Sequence, residues 1–402
     1  MQGASQIPLG RVVEMATEKI DVASLTNKSY ISTENMIPDR GGVIPAEKLP
    51  SSGRVNAFLE GDTLFSNIRT YFKKVWLARF SGGASADVIV FRPCKSAQLD
   101  NTFLYYLLSS DAFIDTTITA SKGTKMPRGD KEAMLGYSFG LPSIPVQRRI
   151  ASILSAYDEL IENSQRRIRL LEAMARALYR EWFIHFRFPG HEKHRRVASP
   201  LGEIPQGWEV CALGNLVQLK SGFAFKSGTF TADGEHRLVT IRNVQDGAFN
   251  PESDSRMSEL PPNLPPYCVL KDGDILLSLT GNVGRVCLVY DGPFLLNQRV
   301  SKLAPAEAFD WAMTYCMFRE SEMRVKLEQL SNGAAQQNLS PVLASKMQLV
   351  RPPRELRQRF AELAEPMVRS IVRLYSTIQN LRRTRDLLLP RLLSGQIEIG
   401  NN

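Results

Sequence analysis

The stretch from Ser121 to Phe183 aligns without a gap on the stretch from Ser331 to Leu393, so this chain is written twice. Each copy opens on a Ser-x-Gly signal (Ser121 and Gly123; Ser331 and Gly333), passes a proline (Pro142; Pro352) and runs into a long helical pattern. A repeat of this kind builds two similar modules on one polypeptide. Upstream the echo is fainter. Pro8 to Val13 answers Ala212 to Val217, Glu60 to Ser66 answers Asp272 to Ser278, and Tyr105 to Leu108 answers Tyr315 to Phe318. The tails therefore share one task, and the diverged heads are free to do different ones.

After Pro145 neither Pro nor Gly recurs for roughly forty residues, until Phe188-Pro189-Gly190, which is the signature of a long helix with a sharp stop. At about 1.5 Å per residue this is a rod of roughly 60 Å. Ile150, Tyr157, Leu171 and Leu178 recur at heptad spacing, with Ser164 the polar exception, and Leu154, Ile161, Ile168, Ala175 and Trp182 form the neighbouring row. The second tail repeats the plan with Phe360, Met367, Leu374, Leu381 and Leu388, beside Ala364, Ile371, Ile378 and Leu392. Pro366 predicts a bend or frayed start and Pro390 a termination. A long amphipathic helix needs something to pack on, and two of equal length bury each other's stripes. Because a globular region lies between them, the expected arrangement is an intramolecular antiparallel coiled coil. The alternative is a pair of ordinary core helices in one large domain.

The heads alternate strand-like stretches with Gly, Pro and Asp turns, as in Ala86 to Phe91 and Gly284 to Tyr290, and predict one short helix after each sheet, around 102–113 and 311–330. The fold class is α+β with an internal pseudo-repeat. Its expected divisions are a first head at 1–143, a first helix at 144–187, a charged linker at 188–206, a second head at 207–352 and a second helix at 353–398. Cations and amides cluster in the head loops. The first head offers Arg69, Lys73, Lys74, Lys122, Lys125 and Arg128; the second offers Lys220, Lys226, Arg242, Asn243, Arg285, Gln336, Gln337 and Asn338. These are the side chains that hold phosphates or read base edges.

A formal charge of +9 and a pI near 9.3 favour a polyanionic partner. The 402 residues, 43% of them apolar, suffice for two or more domains with real cores, and the five cysteines are scattered and read as core thiols. No run of about 18 apolar residues offers a membrane span and the N-terminus lacks a secretion signal, so the expected address is the cytoplasm. There is no phosphate-binding G-x-x-x-x-G-K-[ST] motif. Gly281 to Gly284 reads as a turn, Asn263 to Tyr267 as a proline-rich loop, and His191-Glu192-Lys193-His194 falls one residue short of a zinc-helix motif. Pro38-Asp39 with Glu47-Lys48 lacks the alternation of a metal-dependent nuclease pair, and with four histidines no acid–base triad stands out. The chain reads as a binder without catalytic, metal or cofactor residues of its own.

Three segments carry a family resemblance: Leu141 to Ile150 entering the first helix, Pro205-Gln206-Gly207-Trp208 opening the second half, and Leu392 to Ile397 closing the chain. With the twofold plan, they make the chain resemble the DNA-specificity subunits of type I restriction-modification systems across nearly its whole length. The resemblance implies two variable target-recognition domains, each reading one part of a bipartite, asymmetric site in double-stranded DNA, held apart by paired helices. It also implies partners: two modification subunits that use S-adenosylmethionine to methylate adenine, and restriction subunits that use ATP and Mg. The first half departs from the pattern at Gln6 to Gly10, where no Trp matches Trp208. Two other readings are a coiled-coil adaptor that binds only proteins, and a self-contained DNA methyltransferase or nuclease.

Overall fold

A computed structural model describes residues 6–123, 125–231, 233–331 and 337–397. It divides into two units, Met1–Leu160 with Leu381–Asn402, and Ile161–Asn380. Eight α-helices lie among the described residues: α1 Asn101–Ser109, α2 Asp111–Thr119, α3 Lys131–Gly136, α4 Ile144–Tyr179, α5 Trp311–Phe318, α6 Ser321–Gln329, α7 Pro341–Ser345 and α8 Arg354–Ser394. Each unit thus holds one head, one end of α4 and the opposite end of α8.

In the first head the main sheet runs in the order Val13–Met15, Val88–Pro93, Thr63–Ser66, Val75–Leu77, antiparallel throughout. The second head repeats it with Val217–Ser221, Val300–Pro305, Ile275–Ser278 and Val286–Leu288. A smaller sheet centres on Gly82–Ala84 or Phe294–Leu296, flanked by one parallel strand (Tyr30–Ile31; His236–Val239) and one antiparallel strand (Arg54–Phe58; Val269–Leu270). Here the heads part company. The outermost strand, Lys19–Asp21, pairs with Arg54–Phe58 in the first head, whereas Arg256–Met257 pairs with His236–Val239 in the second. A third pair closes each head on its helix: Gln6–Pro8 with Ser138–Gly140, and Glu209–Ala212 with Gln348–Arg351.

Each sheet is followed by two helices, not the single one expected. Ser110 ends α1 in extended backbone and its hydroxyl accepts from the Phe113 amide to cap α2. In the second head α5 and α6 are separated by Arg319 and Glu320.

The long helices are antiparallel. In the first unit Ile150 and Leu154 of α4 share a core with Leu389 and Leu392 of α8; in the second, Trp182 and Phe183, just past α4, close on Phe360 of α8. The innermost row of α4 is Leu154, Ile161, Ile168 and Ala175, continued by Trp182 past its end, all buried, and of the expected packing residues Ile150 is buried while Tyr157, Leu171 and Leu178 are half-buried. On α8 Phe360, Ile371 and Ile378 are buried, and Met367, Leu374, Leu381 and Leu388 are half-buried. The buried row includes position 385, where an arginine stands: Arg385 Nη1 meets Asp158 Oδ1 at 2.5 Å, and the Tyr106 hydroxyl donates to the other Asp158 oxygen at 2.6 Å. The positions that align with them in the repeat, Ala175 and Val368, are apolar and buried. The frayed start expected at Pro366 is not seen, since α8 runs on through it, and the termination expected around Pro390 falls at Ser394. A proline removes one backbone bond and crowds the preceding turn, but burial of Ala364, Val368, Leu389 and Leu392 holds the helix on either side.

Past Tyr179, a π-helical turn at Arg180–Ile184 brings two adjacent rings, Trp182 and Phe183, into the interior. The connection from this turn to the second head is more built than a solvated linker. Phe186 and Phe188 pack on Trp208, Arg196 lies 4.5 Å over the Phe186 ring, and Arg196–Ser199 forms a hairpin with Gly202–Pro205.

Candidate functional site

Three loops meet at the same corner of each head. In the first they are 67–74, joining the inner strand Thr63–Ser66 to the edge strand Val75–Leu77, 85–87, preceding Val88–Pro93, and 121–130, between α2 and α3. Backbone bonds stitch them together: Asn67 N to Asp87 O at 2.8 Å, Arg69 N to Pro127 O at 2.9 Å and Gly129 N to Asn67 O at 3.2 Å. Gly129 makes the approach possible, because a Cβ there would lie 2.3 Å from Met134 Cε and 3.0 Å from Asn67 Oδ1. The corner recurs in the second head, with Leu279 N to Arg299 O at 3.1 Å, Gly281 N to Gln337 O at 3.0 Å and Leu339 N to Leu279 O at 2.8 Å. An isolated bridge, Ile68 with Arg128, has its counterpart in Thr280 with Asn338. The scaffold is preserved while its side chains are exchanged.

The corner gathers all six candidates of the first head, though not in one role. Arg69 and Lys73 take left-handed backbone at either end of the short turn Thr70–Phe72. The Arg69 guanidinium donates to Lys125 O at 3.3 Å, Lys73 is held by Asp111 at 2.7 Å, and Lys74 reaches the Thr33 carbonyl at 2.5 Å. Burial pushes the Lys74 ammonium below its ordinary value, with Glu34 opposing. Lys73 and Lys74 thus tie the head's own loops together. Lys122 pairs with Asp130 at 2.6 Å, and Asp130 also caps α3, so this pair clamps the loop base. Lys125 and Arg128 are exposed, and Arg128 Nη2 donates to Asp87 Oδ1 at 2.8 Å. Tyr71, Phe72 and Met126 leave a half-open apolar patch beside them.

In the second head Arg285 donates to Gln245 at 2.7 Å, and Gln245 in turn donates to the Arg242 carbonyl at 2.8 Å, which groups the exposed Arg242 with Arg285. Lys220 lies 5.5 Å over the Tyr267 ring and Lys226 is exposed. Gln337 and Asn338 are exposed on the corner, and Asn338 Oδ1 accepts from the Thr280 hydroxyl at 3.1 Å. Gln336 lies outside the described residues. Three exposed residues of the corner, Asn282, Gln298 and Arg299, escape the sequence reading. The signal that finds them is their place in the repeat: Arg299 precedes Val300 as Asp87 precedes Val88.

Asn243 is a correction. It is 3% exposed; its Oδ1 accepts from the Thr240 amide and hydroxyl, and its Nδ2 donates to Asn250 O and Glu252 O. Asn35 of the first head, 4% exposed, does the same with Ser32, Tyr30 O and Ile44 O. This amide is a turn lock present in both heads, with no donor left to read a base. Asn243→Ala should cost about 1–3 kcal/mol by stranding its carbonyl partners, measured by denaturant unfolding, and should leave any ligand preference of the corner in place.

Among the described residues no group of His, Cys, Asp and Glu is arranged to hold a metal, and no helix is long and apolar enough to cross a membrane. Comparison with known proteins agrees with the twofold plan. Residues 53–173 and 205–353 match the type I restriction modification DNA specificity domain. The type I restriction enzyme MjaVIII specificity subunit of Methanocaldococcus jannaschii is 27% identical, over 79% of this chain and 75% of its own. The HindI specificity subunit of Haemophilus influenzae is 22% identical over 99% of this chain and the whole of its own. A crystal structure of the S subunit of a type I restriction-modification system from M. genitalium shares the fold at a TM-score of 0.58 and 15% identity, covering 97% of this chain and 96% of that one.

Proposed function

The chain belongs to the type I restriction-modification DNA specificity family, as a recognition component and not a catalytic one, and from that premise we propose that each head reads one half of a bipartite, asymmetric site in double-stranded DNA. The observation that carries this is the repeated corner: one backbone framework, stitched by equivalent bonds, presents Arg69, Asp87, Lys125 and Arg128 in one head and Asn282, Arg299, Gln337 and Asn338 in the other. Equal frames with unequal side chains suit two related docking events on two different sequences. The functional divisions track the heads, as target-recognition domains at 1–143 and 207–352, with 144–187 and 353–398 as the helical spacer and 188–206 as the connection.

Lysines and arginines of the corners, Lys220 and Lys226 among them, supply phosphate contacts that place each head, while the loop Arg, Gln and Asn side chains discriminate bases. The antiparallel helices set the distance between the half-sites, as geometry sets half-site spacing in dimeric binders. On this reading the partners are two S-adenosylmethionine-dependent modification subunits and ATP- and Mg-dependent restriction subunits, and the complex works in the cytoplasm.

The experiment is a titration of duplex DNA against the chain co-purified with its modification subunits at several salt concentrations. The expected result is an affinity that falls linearly on a log–log plot, with a slope of about −0.9 for each phosphate contacted. A protein-only adaptor would give no such slope and would overturn the reading.

A further inference from the structure

Arg128 and Asn338 occupy the same place in the two heads. Each is the residue of the α2–α3 or α6–α7 loop that bridges to the strand-connecting loop, through Ile68 in one case and Thr280 in the other. The Arg128 backbone is fixed from both sides, giving its amide to Lys122 O at 3.0 Å and taking the Lys122 amide on its carbonyl at 2.9 Å. The guanidinium is 61% exposed and, among the described residues, is held through one nitrogen, Nη2 on Asp87 at 2.8 Å. A carboxylate on one edge of a planar fork orients the fork and leaves its remaining donors free. Of the other cations of this corner, Lys122 is held on Asp130, Lys73 on Asp111, Lys74 on Thr33 and Arg69 on the Lys125 carbonyl, while Lys125 is exposed but is a point charge without a planar fork. Asn338 is oriented by analogous means. Its Oδ1 is anchored on the Thr280 hydroxyl while keeping a second lone pair, and both Nδ2 hydrogens face no protein acceptor among the described residues.

We propose that this bridged position is the base-reading position of each head, with Arg128, buttressed by Asp87, reading a guanine in one half-site and Asn338, buttressed by Thr280, reading an adenine in the other. The inference rests on the recognition role proposed above. The chemistry is the match of a guanidinium fork to guanine O6 and N7, and of a carboxamide to adenine N6 and N7. Asp87 and Thr280 act as positioning residues. A single exchange at one framework position then makes the whole target asymmetric.

The test is selection from a randomised duplex library by the full chain with its modification subunits, comparing wild type with Arg128→Ala, Arg128→Lys, Asp87→Asn and Asn338→Ala. Wild type is expected to select a bipartite motif. Arg128→Ala should relax one guanine in one half by roughly 5- to 150-fold, leaving the other half and the salt slope alone. Lysine should not restore it, because a point charge lacks the fork. Asp87→Asn should loosen that same guanine, and Asn338→Ala an adenine in the opposite half. Because both side chains are exposed, unchanged melting midpoints separate these effects from misfolding. If Arg128→Ala leaves every position sharp, or weakens all sequences evenly while the salt slope drops by about one, Arg128 is a phosphate contact or a bystander and the assignment is wrong. A wild-type selection with no bipartite motif would overturn the recognition role itself.

Discussion

Replacing Arg357 with alanine is expected to destabilise the second unit by about 3–5 kcal/mol, the penalty for stranding one member of a buried ion pair. Arg357 is 2% exposed at the first turn of α8; its Nη1 pairs with Asp310, 1% exposed, and its Nε donates to Pro352 O at 3.2 Å. The pair joins head to helix, and the repeat shows what it replaces. The aligned residue in the first unit, Gln147, is fully buried, accepts from the Asp100 amide at 2.8 Å and donates to Gln98 O and Pro142 O at 2.9 and 2.8 Å. A neutral joint holds one head and a charged joint the other. Gln147→Ala should therefore cost less, about 1–3 kcal/mol for its unsatisfied partners. Burial already pushes the Asp310 carboxyl above its ordinary value, with Arg357 opposing; without Arg357 it should rise further. A carboxyl whose folded pKa exceeds its unfolded one favours the folded state at low pH and penalises it above the raised pKa. The deficit of Arg357→Ala should accordingly shrink as pH falls through that raised value. Denaturant unfolding at several pH values measures this, and a deficit that grows toward acid pH would show the pair is not the cause.

Phe360→Ala should cost a similar amount, about 3–5 kcal/mol. Its ring is fully buried, 4.9 Å from Phe183, 5.9 Å from Trp182 and 6.3 Å from Tyr179, in edge-on geometries that add to plain area burial. The aligned residue in the first unit is Ile150, surrounded by Leu154, Leu389 and Leu392 instead of rings. Ile150→Ala should cost about 2–5 kcal/mol. Unfolding curves of the two variants, monitored through Trp182 and Trp208 fluorescence for the second unit, should show loss confined to the unit that holds the substitution.

The long helices were legible because forty residues free of breakers, with apolar residues every seven, admit few other structures. The depth of each row was less so. Period alone does not say which of two adjacent rows points inward, and Arg385 hides its row because a charge is not counted as core until Asp158 and Tyr106 are seen beside it. Proline likewise misleads at 366, where packing outweighs a lost backbone bond and the helix is already formed. At the corner, the basic loops could be read from composition. Which cations are consumed internally could not, because Asp111 and Thr33 are remote in sequence from Lys73 and Lys74. Asn243 shows the same limit in reverse: an amide in a polar loop reads as a reader of bases until its four hydrogen bonds to the turn are counted.

If each head reads its own half-site, one head can be exchanged without disturbing what the other reads. Exchanging residues 1–143 for those of a relative, expressing the chimera with its modification subunits and sequencing the methylated bases of the host genome tests it most directly. One half of the bipartite motif is expected to change while the other half and the spacer length stay as in the parent. A change in both halves, or in neither, would contradict it.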